Sequence, residues 1–395
     1  MALAEYKYGD IIHRCFRCGY CKFPTDWTDV NNCPAYARFR LESYSCGGRL
    51  WLIRAWLCDE IEWSDHLAEI VYSCAACKNC AVKCPLRINE DIVNMIIAAK
   101  SEMVERGLIP SAVSEFLRNI ERQGNPYGDA SLKRGEWVEG TEIKKYEGQE
   151  LLYYVGCVGS YDTRAKETAR TLGKVLQKAR VSFGVLGNEE TCDGNEVSKL
   201  GEEGLFQFLA EQNIQQFKHL GIKKIVTLSP HSYNAIKNDY PKFDGSFEVV
   251  HYTQLLRELI ESGSLDISGG FEARVTYHDP CFLGRWNNEY DAPREVLSAI
   301  PGIELIEIER NREGALCCGG GGGNFYIDLL GGSETSPARI RIREAYATGA
   351  SIVAVACPNC MTMLEDAVKV EGLEEKLKIK DISEIVDEAC LAKGG

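Results

Sequence analysis

The spacing of its cysteines constrains this 395-residue chain more than any other feature, because most of its 18 cysteines stand in close groups. The tightest group is Cys74-x2-Cys77-x2-Cys80-x3-Cys84-Pro85. Three thiolates in one short loop reach three corners of an iron–sulfur cubane, and the fourth cysteine, before proline, reaches the other cluster in two-cluster ferredoxins. An earlier group reads Cys15-x2-Cys18-x2-Cys21 and then Cys33-Pro34, with a gap of eleven residues that implies an inserted loop. The exchange of fourth ligands assigns Cys15, Cys18, Cys21 and Cys84 to one [4Fe–4S] cluster. Cys74, Cys77, Cys80 and Cys33 fall to the other. Two four-cysteine zinc sites are the rival, but zinc motifs seldom place three cysteines at x2, x2 spacing before Cys-Pro.

A chain of this length builds hydrophobic cores without disulfides, so its cysteines read as metal ligands. The net charge is −13 and there is no basic block, which argues against a nucleic-acid partner. The start, MALAEYKYGD, shows no basic region followed by an apolar one, and no apolar run has the length of a transmembrane helix. The expectation is a soluble, cytoplasmic protein, attached to a membrane, if at all, through partner subunits.

Residues 1–122 read as mainly helical. Asn89 is placed to cap a helix from about Asp91 to Glu105, which Gly107 and Pro110 end, and Ser111 to Arg122 forms another. Residues 123–148, rich in glycine and charge, read as a linker, although Trp137 within it gives a reason to pack. From Glu150 strand-like segments (LLYYVG, KKIVTL, ARVTYHD, ASIVAVAC) alternate with helical ones such as Thr163 to Arg180, implying mainly parallel sheets. This region repeats. Cys281 follows Cys157 by 124 residues, CPNC at 357–360 follows SPHS at 229–232 by 128, and CCGG at 317–320 answers TCDG at 191–194. The predicted architecture is a two-cluster ferredoxin-like domain (1–122), the linker (123–148), a first α/β repeat (149–268) and a second (269–395).

The second repeat holds Cys281, the adjacent pair Cys317 and Cys318, and Cys357-Pro358-Asn359-Cys360. Five cysteines are one too many for a single cubane or zinc ion. Gly319, Gly320 and Gly321 open a run of five glycines that would let the backbone approach a cluster closely. No Gly-Lys-Ser/Thr follows, so this is not a phosphate loop.

These motifs together resemble the heterodisulfide reductase D-type family of CCG-domain iron–sulfur proteins, over nearly the whole chain. Its relatives include iron–sulfur subunits of glycolate oxidase and anaerobic glycerol-3-phosphate dehydrogenase, and subunits of respiratory and benzoyl-CoA reductase complexes. The resemblance implies a noncubane [4Fe–4S] cluster on Cys281, Cys317, Cys318, Cys357 and Cys360, beside the two cubanes. The first repeat departs from the pattern: it keeps Cys157 and one cysteine of the CCG motif, Cys192, and has Ser229 and Ser232 where the last two cysteines belong. Two ligands of five imply that it keeps the fold without the cluster; a zinc or smaller cluster on Cys157, Cys192 and His231 is the alternative.

The resulting expectation is an electron-transfer subunit of a multi-subunit oxidoreductase. It would relay electrons through two cubanes to or from the noncubane cluster, whose site Cys281 and Cys318 mark. No GxGxxG joins a strand to a helix, so flavin or nicotinamide chemistry falls to another subunit. The partners implied are a flavoprotein dehydrogenase, a cytochrome b membrane subunit or a tungsten reductase. The alternatives are a single-cluster thiol/disulfide reductase and a non-catalytic scaffold with structural metals. His278 is either a proton donor beside the noncubane site or a strand-end histidine with a local hydrogen bond. His231 reads as a relic of the lost site. Cys46, Cys58 and Cys390 read as unpartnered small residues. Arg14, Arg17, Lys22, Arg38 and Arg40 either offset cluster charge, dock an acidic partner or form a solvated face.

Overall fold

The computed structural model describes residues 5–23 and 31–390, so most of the loop inserted between Cys21 and Cys33 lies outside the described residues. The N-terminal region is helical. Helices Cys46–Leu57, Asp65–Tyr72, Ile92–Glu105 and Ser111–Gln123 surround the cysteine loops. Ser45 and Ser64 start the first two, accepting from the amides of Gly48 and Leu67. The third differs from expectation: Asp91, not Asn89, occupies its cap position, and no side chain caps it. Its apolar residues Ile92, Val93, Met95, Ile96, Ala99 and Met103 are buried, so packing holds this end.

Residues 123–148 are more than a tether. Ser131–Val138 forms a short helical turn that buries Arg134 and Trp137. The Trp137 ring meets Tyr153 edge-on at 5.8 Å.

Two four-stranded parallel sheets follow. The first comprises β1 (Leu151–Tyr154), β2 (Phe183–Gly184), β3 (Lys224–Thr227) and β4 (Glu248–His251), in the order β2-β1-β3-β4. The second comprises β5 (Ala273–Tyr277), β6 (Ile303–Leu305), β7 (Ile352–Val355) and β8 (Lys378–Asp381), in the equivalent order β6-β5-β7-β8. The central pairs share a register: Tyr154 faces Thr227 and Tyr277 faces Ala354. β1 and β7 are buried along their whole length, which is why they read as unbroken apolar runs. In each sheet the chain leaves the two central strands in opposite directions. The crevice there, beyond their carboxyl ends, is where such sheets place their sites. Cys157 and Ser229 follow β1 and β3; Cys281 and Cys357 follow β5 and β7.

The repeats pack reciprocally. Helix Thr163–Lys178 of the first lies on Ile382–Ala389 of the second, and Tyr252–Glu261 of the first lies on Asp291–Ala299 of the second. Arg164 seals one contact, its Nε 2.8 Å from Glu365 and its Nη1 2.6 Å from Glu384. Tyr252 donates to both oxygens of the buried Asp381 carboxyl across the same interface, at 2.8 and 2.9 Å.

Burial pushes the Asp381 carboxyl from its ordinary 3.8 up to about 7. The folded state therefore holds a proton that the unfolded chain has released, and this group's contribution to stability falls as pH rises from about 4 to about 7. Asp381→Asn keeps a hydrogen-bond acceptor for Tyr252 and should flatten the decline across that window, measured as unfolding midpoints against pH.

Candidate metal centres

The Cys74–Cys80 loop follows helix Asp65–Tyr72 and runs into the short helix Asn79–Lys83. Ala76 and Lys78 take left-handed backbone angles, with φ of 48° and 59°, so the loop curls tightly. Cys33, Cys74, Cys77 and Cys80 line one cavity together with Cys46, Arg49 and Lys78. Burial pushes the Cys33 thiol up to about 12, with Cys77 and Cys80 among its electrostatic neighbours. Cys84 faces the other way. Burial pushes its thiol up to about 11, and its cysteine neighbours are Cys18, Cys15 and Cys21. The cysteines thus gather into two groups, each drawing its fourth member from the other motif.

Two residues here exceed the sequence reading. Cys46 is not isolated: its thiol lies against those of Cys21 and Cys80, between the two groups. Its spacing carries no motif, and only its place at the start of a helix beside both loops reveals it. Arg49 is fully buried. It donates to Ile70 O at 2.7 Å and Ser73 Oγ at 2.6 Å, and its Nη1 lies 3.9 Å from Cys33 Sγ. It sets a fixed positive charge beside the Cys33 sulfur. Of the other basic residues, Lys22 pairs with Glu42 at 2.5 Å, Arg38 donates to Gly331 O at 3.0 Å, and Arg17 lies over the Trp51 ring. Cys58 is half-buried and Cys390 buried.

In the second repeat all five cysteines converge. Cys281 Sγ lies 3.7 Å from Cys317 Sγ, and Cys318 Sγ 3.4 Å from Cys360 Sγ. Burial raises the Cys357 thiol, but its contacts with Cys360 and His231 outweigh this and bring it down to about 6. The Gly319 amide donates to Cys317 Sγ at 3.3 Å. Five buried thiols free of disulfides, with an amide aimed at one sulfur, suit a soft thiolate-bound iron–sulfur group. His278 ends β5 beside this set. Its Nδ1 accepts from Arg341 Nε at 3.1 Å, which leaves the ring proton on the buried Nε2, and the side chain faces the Cys318 thiol. A donor atom of His278 lies within 4.8 Å of the thiols of Cys318 and Cys360.

The glycine run does a second job that spacing does not show. A Cβ on Gly321 would stand 2.6 Å from Ala75 O, and one on Gly322 2.5 Å from Cys74 O. The run therefore lies directly on the Cys74–Cys80 loop. Arg285 donates to Cys77 O at 2.5 Å and Trp286 to Ala76 O at 2.8 Å, fixing the same approach. As a result the Cys77 thiol touches that of Cys317, and the N-terminal and C-terminal cysteine systems meet.

The first repeat keeps this geometry with altered chemistry. The Gly194 amide donates to Cys192 Sγ at 3.4 Å, as Gly319 does to Cys317, so Cys192 stands for Cys317 and Asp193 for Cys318. Cys157 and Cys192 remain in contact. Where Cys318 meets Cys360, Ser232 instead donates to the Asp193 carboxylate at 2.7 Å. Ser229 Oγ accepts from the His231 amide, capping helix Pro230–Asn234. His231 lines one cavity with Cys157 and Cys192, but its Nδ1 lies 2.5 Å from Glu196, its ring lies 4.3 Å from that of Phe282, and it reaches Cys357. It thus links the first repeat's cavity to the second repeat's cysteines.

Comparison with known proteins follows the same division. The 4Fe-4S dicluster domain matches residues 11–88, and the cysteine-rich CCG domain matches 151–237 and 275–365. The D-type component of the dihydromethanophenazine:CoB–CoM heterodisulfide reductase of Methanosarcina barkeri is 30% identical, over 96% of this chain and 94% of its own. The chain belongs to the heterodisulfide reductase D-type family of iron–sulfur proteins. It is also 40% identical to the probable iron-sulfur-binding oxidoreductase FadF of Bacillus subtilis, over 82% of this chain and 47% of that one. The EtfAB:quinone oxidoreductase of Syntrophomonas wolfei is 36% identical, over 81% of this chain and 46% of its own. The chain spans about half the length of these last two relatives. A Helicobacter pylori protein of solved structure shares the fold, with a TM-score of 0.56 at 11% identity over 91% of this chain and 71% of that one. No helix among the described residues is long and apolar enough to cross a membrane.

Arg49→Met should cost about 2–3 kcal/mol, because two buried acceptors lose a charged donor. Denaturant unfolding of the anaerobically prepared protein measures it.

Proposed function

We propose that this chain is the electron-relay subunit of a larger oxidoreductase. Two cubanes would be held by Cys15, Cys18, Cys21 and Cys84, and by Cys74, Cys77, Cys80 and Cys33. A noncubane [4Fe–4S] cluster would be held by Cys281, Cys317, Cys318, Cys357 and Cys360. Such groups supply one-electron transfer at potentials that their surroundings tune. The observation that carries the reading is the contact of Cys77 with Cys317, which joins the two cysteine systems through the protein itself. Arg49 supplies positive charge beside Cys33, and the buried loops around Cys77 exclude water from the junction.

No organic-cofactor motif is evident in the sequence, so hydride chemistry belongs to a partner. A flavoprotein dehydrogenase is the favoured donor, since the names of the relatives point to EtfAB and quinone as exchange partners. A cytochrome b subunit or a tungsten reductase would fill the same place, and a membrane partner would bring the chain to a bilayer.

A second reading, cleavage of a disulfide at the second repeat, has one observation in its favour. His278, its Nδ1 held by Arg341, stands beside Cys318 and Cys360, where its remaining ring N–H would donate a hydrogen bond to a departing thiolate. Only one repeat keeps five cysteines, which sets this chain apart from a site built on two complete copies.

Iron analysis tests the assignment. The anaerobic protein should carry about twelve irons, four per cluster. Cys318→Ala should leave about eight and remove one spectroscopic signal, with the cubane signals intact. An unchanged count would overturn the noncubane assignment.

A further inference from the structure

Arg285 reaches both cysteine systems with one side chain. It lies four residues after Cys281 in the second repeat. Its Nε donates to Cys77 O at 2.5 Å, and its Nη1 donates to Ala315 O at 2.7 Å and Glu313 O at 3.2 Å. Cys77 belongs to the N-terminal set, while Ala315 lies two residues before Cys317. The next residue tightens the same clamp. Trp286 Nε1 donates to Ala76 O at 2.8 Å, and the Trp286 amide donates to Cys281 O at 3.1 Å. Backbone carbonyls from both sides thus fix the guanidinium in the seam between the two sets.

These bonds leave two needs unmet. Nη2 is buried and has no hydrogen-bond partner among the described residues. No carboxylate among the described residues pairs with Arg285 either; its anionic neighbours are the thiols of Cys77, Cys281 and Cys317 and the Tyr290 phenol. A cation out of water is costly without a counter-charge, and a buried N–H is costly without an acceptor. The chain carries a net −13 and so has acids to spare, yet none is placed here. Thiolate and cluster sulfur would meet both needs at once.

We propose that Arg285 is the shared counter-charge of the two cysteine systems, favouring the reduced state of the cluster on either side of the seam. This role rests on the cluster assignment above. An electron arriving at either group adds one negative charge, and a fixed positive charge in a low-dielectric seam lowers the cost of that addition. Both midpoint potentials rise together, so the step across the seam stays small. The group of Cys15, Cys18, Cys21 and Cys84, where Cys84 faces the other way, gains nothing from it. Arg49, beside Cys33, serves one side only.

A redox titration of the full-length anaerobic protein, followed by electron paramagnetic resonance, reads each cluster separately. Arg285→Gln keeps a donor for the carbonyls and removes the charge. It should lower the midpoints of the Cys74–Cys80 cubane and of the noncubane cluster by about 60 mV each, a tenfold change in a one-electron equilibrium. The cubane of Cys15, Cys18, Cys21 and Cys84 should not move, and iron should stay at about twelve per chain. Arg285→Lys, which keeps the charge, should change the same equilibria by no more than about twofold. Unmoved midpoints in an iron-replete Arg285→Gln protein would overturn the proposal. So would an equal shift of all three clusters, or a shift in Arg285→Lys as large as in Arg285→Gln. Where the glutamine variant fails to hold iron, arginine labelled with heavy nitrogen decides. In an Arg49→Lys background the reduced Cys74–Cys80 cubane should show nitrogen coupling from Arg285, and its absence would overturn the proposal. A wild-type protein that carries only the two cubanes would sink the relay reading, while the midpoint of the Cys74–Cys80 cubane in Arg285→Gln would still decide the role of Arg285.

Discussion

The backbone of Gly321 and Gly322 runs so close to Cys74 and Ala75 that no side chain fits between them. Much of the molecule follows from that approach. It places the Cys74–Cys80 loop against the crevice beyond β5 and β7, and so brings Cys77 to Cys317. Arg285, Trp286 and Asn79 bond across the same seam, with Asn79 reaching both Asn32 O and Ala315 O. Bulkier residues in the run would force the two cysteine systems apart, since packed interiors do not absorb even a methyl group without displacement.

The reciprocal packing of the two repeats gives this seam a fixed frame. Each repeat lends a helix to the other's flank, and Arg164 and Tyr252 hold the two contacts with buried or half-buried acids. The frame explains why the first repeat persists after losing most of its ligands. Its helices Thr163–Lys178 and Tyr252–Glu261 form its side of the inter-repeat interface, and its Glu196 and His231 reach Gly323 and Cys357. Three of the five cysteine positions differ there, and each new side chain is hydrogen-bonded: Ser232 donates to Asp193, and Ser229 caps helix Pro230–Asn234.

Charge is also arranged in depth. The chain carries a net −13, yet fully buried guanidinium groups stand beside cysteines in both halves: Arg49 near Cys33 and Arg134 near Cys157. A buried cation is costly unless paired, and each is tied to carbonyls, a hydroxyl or a carboxylate as well as facing sulfur. Such fixed positive charge favours thiolate over thiol in a low-dielectric setting.

Spacing alone determined the local chemistry. CxxCxxC followed by Cys-Pro can be read from a string, because ligands of one loop are close in sequence. The repeat and its parallel strands were equally legible, since buried strands are written as apolar runs at a nearly constant offset. Which fourth cysteine goes to which group came from a rule about loops; in the fold Cys33 neighbours Cys77 and Cys80, and Cys84 neighbours Cys15, Cys18 and Cys21. What the string could not hold was proximity between distant segments. Cys46, Arg49 and Arg134 carry no motif, and His231 reads as a leftover because its partners, Glu196 and Cys357, are 35 and 126 residues away. The alignment of Cys192 with Cys317 is ambiguous by one position until the amide bonds of Gly194 and Gly319 resolve it. Sequence fixes which atoms can bind metal or exchange electrons; only tertiary packing decides which of them meet, because long-range neighbours are chosen by the whole core and not by any one segment.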